Sequence, residues 1–480
     1  MVSPRMLLCW GLLVLTAAVV LDLNGCGGGG SSSQPSSPSS SSPSQVIRHI
    51  VVIFQENRTP DNLFHDPNLI ARGADISTTG LTSSGQTVPL TPHSLISDYD
   101  LSHAHTAFVS MYDSGKMDGA DQIQIHCNMK EADCPSPTAW FHYVPASEAA
   151  PYFQMAETYT FGDRMFQTNQ GPSFPAHQFI ISGSSAPTPP GTPNAVYFAS
   201  ENMTYAPGET NQNAGCIAAS STTAAWINPQ GVEFESSPAQ YPCYERPTLT
   251  DLLNAKGISW RYYAPSAGSI WTAPNAIQHM CVPSNGNCTG SDWVNGVFIP
   301  ETQVLSDISS GQLASVSWVI PDGQQSDHAG VNDGSGPSWV ASVVNAIGNS
   351  AYWPDTAIIL TWDDWGGWYD HVKPPAILNS YEYGFRVPLV VISPYAKPGY
   401  ISHTVYDFGS ILKFVEATFG LTTVAPGASP AYDDAATTTG DLSDCFDFTQ
   451  TPLKYQSVQA EHDAAYFLNQ KSAHLDPDDD

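Results

Sequence analysis

The chain has 480 residues, enough for one large domain or two, and 41% are hydrophobic, with 12 Trp, 21 Tyr and 19 Phe to fill a core. Only 16 Lys and Arg stand against 45 Asp and Glu, a formal charge of −29. Without a basic stripe, nucleic-acid binding by phosphate neutralisation is ruled against, and an anionic substrate must be attracted locally, by a metal, His or backbone N–H groups.

At the N-terminus, Arg5 precedes the apolar run Met6 to Val20, the layout of an export signal and short for a membrane span. The run leads to Leu23-Asn24-Gly25-Cys26, which resembles a bacterial lipobox with Cys26 as the lipidated residue, although Asp22 and Asn24 depart from its usual small or apolar residues. Residues 1–25 therefore read as a lipoprotein-type signal peptide, with ordinary cleavage nearby as the alternative. Residues 26–45, almost pure Gly, Ser and Pro, read as a flexible tether, and 46–480 as one α/β domain. Export makes disulfides plausible. The sequence-close pairs are Cys127 with Cys134, Cys216 with Cys243, and Cys281 with Cys288, which leaves Cys445 unpaired.

The first strand signal is Val46-Ile47-Arg48-His49-Ile50-Val51-Val52-Ile53, followed by Phe54-Gln55-Glu56-Asn57-Arg58-Thr59-Pro60-Asp61. A matching run, Thr356-Ala357-Ile358-Ile359-Leu360, is followed by Thr361-Trp362-Asp363-Asp364-Trp365-Gly366-Gly367. Short, nearly continuous apolar runs indicate strands buried on both faces of a mostly parallel sheet, whose ligands sit beyond the strands' carboxyl ends. If the two strands are neighbours, Glu56, Asp363 and Asp364 converge. Carboxylates about 5 Å apart repel by roughly 3 kcal/mol per pair at an effective dielectric near 20, which a cation would relieve.

Between these runs lies Asn169-Gln170-Gly171-Pro172-Ser173-Phe174-Pro175-Ala176-His177, where Ser173 reads as an N-cap beside free N–H groups and the positive end of a helix dipole. That setting stabilises an alkoxide or a phosphate; a plain helix cap is the simpler alternative. Residues 185–244, rich in Pro, Ser, Thr and Asn, read as a loop-rich cap or insertion over the sheet edge. Thr248 to Lys256 reads as a helix stopped by Gly257, and Ile258 to Tyr263 as a strand. Further strands are expected at Ser315 to Ile320 and Val387 to Ile392, and helices at Ser338 to Ile347 and Phe408 to Phe419. Strands alternating with helices imply a doubly wound α/β sheet. Histidines worth following are His103, His279, His328 (beside Asp327) and His371. Trp362, Trp365 and Trp368 read as packing, and Gly366-Gly367 as a close turn behind the acidic pair.

Four ordered motifs resemble the bacterial phosphoesterase family of phospholipases C and acid phosphatases: Glu56-Asn57-Arg58-Thr59 with Asp61; Gly171-Pro172-Ser173; Ser326-Asp327-His328; and Trp362 to Val372. The resemblance implies an alkaline-phosphatase-like fold. It implies one divalent metal ion held by Glu56, Asn57, Ser173, Asp363 and Asp364, with Ser173 also the nucleophile. The stretch Asp100 to Gly119 resembles the family too and points to His103 on the phosphate side, while His279 and His328 match its other active-site histidines. All-oxygen ligation favours Ca²⁺, Mg²⁺ or Mn²⁺.

The expected function is an exported, metal-dependent hydrolase of phosphoric esters, acting on phospholipid or phosphomonoester through a phosphoserine and tethered to a membrane at Cys26. The alternative is a non-catalytic surface binding protein with a structural metal. A sulfatase-like hydrolase is disfavoured because no Cys or Ser stands in a C/S-x-P-x-R context.

Overall fold

The apolar runs become the centre of one sheet. The computed structural model describes residues 43–97, 99–127, 134, 138–187, 197–234, 240–375, 381–429 and 431–470. The expected signal segment, Cys26, most of the tether and the tail Asp476 to Asp480 lie outside them. Strands β1 (His49–Gln55), β2 (Thr160–Phe166), β3 (Trp260–Tyr263), β4 (Val297–Phe298), β5 (Val316–Val319), β6 (Thr356–Trp362), β7 (Arg386–Ile392) and β8 (Ile401–Ser402) form an eight-stranded sheet in the order β4-β3-β5-β1-β6-β7-β2-β8. Neighbours run parallel except at β7, which is antiparallel to both β6 and β2. The sheet is therefore mixed. All residues of β6 and β7 are buried, as their largely apolar sequences require, and the one charged residue among them, Arg386, is ion-paired.

Helices α1 (Ala146–Thr158), α2 (Ser173–Ser182), α3 (Leu249–Lys256), α4 (Gln303–Ser309), α5 (Gly336–Gly348) and α6 (Phe408–Phe419) flank the sheet and share its hydrophobic core. Local signals set their ends. Thr248 and Asp251 form a capping box at the start of α3, and Gly257, at φ 66°, closes it in the left-handed conformation that glycine adopts without steric cost. Asp407 caps α6 by accepting from Ser410 N at 2.9 Å. Among the described residues no helix is long and apolar enough to cross a membrane.

The expected disulfides Cys127–Cys134, Cys216–Cys243 and Cys281–Cys288 are present, and Cys445 is free and buried. The expected loop-rich cap contains a three-stranded antiparallel sheet, Phe198–Thr204, Thr223–Ile227 and Glu233–Phe234. Its first strand packs on α2.

One buried ion network braces the sheet. Arg386 on β7 binds Asp370 through Nε at 2.9 Å and reaches Asp61 at 3.3 Å, while His371 contacts Asp61 at 2.7 Å and Asp75 at 3.0 Å. Asp61, Asp370 and His371 are close enough to hold a metal, but Arg386 already neutralises that charge. Burial disfavours the His371 imidazolium, yet the hydrogen bond and charge of Asp61 outweigh it and push the pKa up to about 9. A raised histidine stabilises the fold fully below its ordinary value of 6.5 and loses that contribution as pH rises through about 9. Urea denaturation of His371→Asn between those limits should show a flatter loss of stability than the wild type. Equal slopes would mean that His371 does not carry the dependence.

Candidate active site

Because β1 and β6 are parallel and end on the pair Gln55 and Trp362, the next residues, Glu56 and Asp363, leave the sheet side by side. Asp363 N continues the ladder onto Gln55 O at 3.0 Å. Asn57 then takes a left-handed backbone, φ 62°, a conformation Asn tolerates better than most residues. Asp363 Oδ1 holds this turn by accepting from Asn57 N at 3.0 Å and from Asp364 N at 2.7 Å. Gly366, at φ 61°, passes so near Asn57 that a Cβ would strike its backbone, and a Cβ on Gly367 would strike Leu101. The glycines allow the two acidic turns to nest.

The third segment comes from β2, which runs in the same direction as β6 because β7 is antiparallel to both. It leads through Gln167 to Gly171 and into α2. Ser173 is the first residue of α2, with Pro172 at the cap, so the hydroxyl lies one position inside the expected site and caps no N–H. The cap segment supplies that acceptor: Asn202 Oδ1 takes Phe174 N at 2.9 Å. Gly171 is needed because the Ser200 carbonyl occupies the space of a Cβ. Ser173 Oγ lies 3.5 Å from Glu56 Oε2 and 3.3 Å from Asp364 Oδ2. The structure thus brings Glu56, Asn57, Ser173, Asp363 and Asp364 together, all buried.

Asn57 Nδ2 donates to His103 Nε2 at 3.0 Å, and His103 Nδ1 donates to the Leu101 carbonyl at 2.9 Å. This fixes the amide so that its carbonyl end is the one left over. Asn57 Oδ1 and Asp363 Oδ2 are buried with no hydrogen-bond partner among the described residues. Two unmatched buried oxygens in a group of three carboxylates, each electron-rich, fit a cation.

His328 lies with its ring centroid 5.5 Å from that of His103 and 6.2 Å from Trp271, and its Nδ1 donates to Ala329 O at 2.7 Å. Asp327 does not orient it: the Asp327 carboxylate instead accepts from Tyr152 at 2.8 Å and Trp362 at 2.9 Å. Burial raises that carboxyl to about 6 against the pull of Arg58. The remaining expected residue, His279, is not brought to this group. Its nitrogens meet Glu245 at 2.7 Å and Asp251 at 3.3 Å, and the Asp251 hydrogen bond, outweighing burial, lifts its pKa to about 9. Two carboxylates on the α3 side hold it there.

The buried side chains missed in the sequence are His177 and Trp271. His177 Nε2 is 3.2 Å from Glu56 Oε1, and its ring centroid is 6.5 Å from that of Trp271. Its signal was present: His177 follows Ser173 by one helical turn, which puts both on one face.

Arg58 ties the motifs together. Its guanidinium donates to Asp327 O at 2.9 and 2.7 Å, to Leu95 O at 3.2 Å and to Asn62 Oδ1 at 3.1 Å, and stacks 4.9 Å from the Trp368 ring centroid. Trp362, Trp365 and Trp368 are all fully buried, so they act as walls and supports. Arg58→Ala leaves Asp327 O and Asn62 Oδ1 dry at roughly 1 kcal/mol or more each, while Leu95 O keeps Asn332 Nδ2 as a donor. Urea unfolding should show a loss of about 2 kcal/mol or more, with Arg58→Lys recovering only part because Lys lacks the planar fork. A loss near zero would remove the bracing role.

Comparison with known proteins follows the same segments. The family model of the Phosphoesterase family matches residues 47–422. Over 463 residues the chain is 24% identical to the hemolytic phospholipase C of Pseudomonas aeruginosa, covering 84% of this chain and 56% of that protein. Over 474 residues it is 24% identical to phospholipase C B of Mycobacterium tuberculosis, covering 85% and 78%. The chain thus spans little more than half of the Pseudomonas relative. A solved alkaline phosphatase superfamily protein from Vibrio parahaemolyticus aligns over 79% of this chain and 68% of its own, at 12% identity and a TM-score of 0.31.

Proposed function

We propose that this chain, which belongs to the phosphoesterase family and is a phosphoric ester hydrolase, cleaves its ester through Ser173 at a divalent-metal centre held by Glu56, Asn57, Asp363 and Asp364. The observation that carries it is the Ser173 hydroxyl between Glu56 and Asp364 at the start of α2. A divalent cation bound there supplies charge neutralisation and lowers the pKa of the hydroxyl.

Ser173 Oγ attacks phosphorus, the bond from phosphorus to the ester oxygen breaks, and the alcohol leaves; water then hydrolyses the phosphoserine. Glu56 and Asp364 hold the hydroxyl before attack. The α2 N-terminus favours the negative charge that gathers on the phosphoryl oxygens. His103 acts through Asn57, keeping its carbonyl end toward the centre. His328, beside His103, is the donor to the leaving oxygen, since imidazole exchanges protons near neutral pH.

The names of the relatives support a phospholipid diester as substrate. Purified protein assayed on p-nitrophenylphosphorylcholine and on p-nitrophenyl phosphate, with and without chelator, tests this. Chelator-sensitive cleavage of the diester is the expected result. Cleavage of the monoester alone would make the protein a phosphomonoesterase, and cleavage of neither would favour the binding protein.

The export reading rests on Met6 to Val20 and Cys26. It places the protein outside the cytoplasm, held to a membrane through a lipidated Cys26 and the Gly/Ser/Pro tether. Cys26→Ser should move it from the membrane to the soluble fraction; unchanged partitioning would refute the anchor.

A further inference from the structure

We propose that His177 is a nitrogen ligand in the same coordination sphere as Glu56 and Asp363, so that the centre prefers a transition metal such as Fe²⁺ or Zn²⁺ over Ca²⁺ or Mg²⁺. This rests on the metal centre of the preceding section and adds to it a donor of a different kind.

One turn of α2 separates Ser173 from His177, and side chains four apart lie over one another on a helix face. The helix therefore delivers a hydroxyl and an imidazole to the same carboxylate from one side. Ser173 meets Glu56 Oε2, and His177 meets Glu56 Oε1. His177 Nε2 is 3.2 Å from Glu56 Oε1 and 3.8 Å from Asp363 Oδ2, and these three fully buried groups offer atoms all within 4.8 Å of one another.

Metal–ligand bonds of about 2.1 Å place neighbouring donors roughly 3.0 to 3.5 Å apart around one ion. The His177–Glu56 separation falls within that span, and the longer separation to Asp363 lies slightly beyond its upper end. A hydrogen bond from His177 to Glu56 is the competing account. It satisfies one oxygen of Glu56 but leaves Asp363 Oδ2, buried and without a hydrogen-bond partner, beside the same ring. A cation among the three atoms satisfies the imidazole lone pair and both carboxylates together.

The donor set then changes the expected ion. Carboxylate and carbonyl oxygens alone suit Mg²⁺, Ca²⁺ and Mn²⁺, and Ca²⁺ takes six to eight oxygens, whereas imidazole suits Fe²⁺ and Zn²⁺. The all-oxygen expectation drawn from the sequence omitted His177, whose imidazole moves the preference away from Ca²⁺ and Mg²⁺.

The test uses chelator-stripped, full-length protein. It is dialysed against equimolar CaCl₂, MgCl₂, MnCl₂ and ZnCl₂, with bound metal measured by mass spectrometry, and separately loaded with MnCl₂ for pulsed paramagnetic resonance. Wild type is expected to retain Zn²⁺ over Ca²⁺ and Mg²⁺ and, when loaded with Mn²⁺, to show nitrogen hyperfine coupling. In His177→Gln, whose amide can still donate to Glu56, the coupling should vanish and Mn²⁺ affinity fall at least roughly tenfold to a hundredfold. Wild type that holds Mn²⁺ without nitrogen coupling would overturn the ligand assignment and leave the metal centre standing. So would a variant with unchanged affinity and metal preference. Wild type that retains none of the four ions would overturn the metal centre itself. The wild-type resonance measurement decides the question even if the variant fails to fold.

Discussion

Ser173→Ala should lower turnover by roughly four to six orders of magnitude, the scale seen when the attacking hydroxyl of a serine hydrolase is removed. Oγ is the only atom lost, and it is the atom held at 3.5 Å by Glu56 and at 3.3 Å by Asp364. The fold should not suffer. Ser173 is a helical residue that caps nothing, and alanine is the better helix former. Glu56, Asn57, Asp363 and Asp364 remain in place, so bound metal measured by mass spectrometry should stay largely intact. Wild type quenched in acid during turnover should yield a phosphorylated peptide containing Ser173, and the variant none. Retained activity in Ser173→Ala would place the nucleophile elsewhere.

The convergence of Glu56 with Asp363 was legible because it needs only two facts, a strand in each apolar run and parallel pairing between them. Both follow from Ile50 to Ile53 and Ala357 to Leu360, whose side chains have no face turned to water. The helix Phe408–Phe419 was readable to its end residues, since Asp407 and Gly420 mark them chemically. β2 was not legible. Its sequence Thr160-Phe161-Gly162-Asp163-Arg164-Met165-Phe166 is broken by Gly, Asp and Arg, and the reasons lie far away in the chain. Gly162 makes room for Leu389, and Asp163 is buried because Asp75 N donates to it at 2.8 Å and His403 at 2.8 Å. For the same reason the strand Phe198–Thr204 read as part of a loop-rich insertion, although Asn202 and Ser200 shape the start of α2. Adjacency in sequence left the Asp327–His328 pairing open: Asp327 turns to Tyr152 and Trp362, because successive side chains point apart unless a turn joins them. His177 was legible in principle, since it stands one helical turn after Ser173 and four-residue spacing puts polar as well as apolar side chains on one face.

Asp363→Asn should separate the two parts that this carboxylate plays. Its Oδ1 accepts from Asn57 N and Asp364 N, and an asparagine oxygen can accept the same two bonds, so the nested turns survive. Its Oδ2, the oxygen without a partner, becomes an amide that can donate to Glu56. Without metal, wild type carries the mutual repulsion of its buried acidic groups, about 3 kcal/mol for a pair 5 Å apart at an effective dielectric near 20. The metal-free variant should therefore be more stable than metal-free wild type by about 2 kcal/mol in urea. Adding MnCl₂ should reverse the order. Wild type gains about 4 kcal/mol when the free ion exceeds its dissociation constant a thousandfold, and the variant, short of a charged ligand, gains far less. Turnover should fall with the lost affinity. A metal-free variant less stable than metal-free wild type would show that the three acidic groups do not strain the fold. In that case a cation would not be the account of the unmatched oxygens of Asn57 and Asp363.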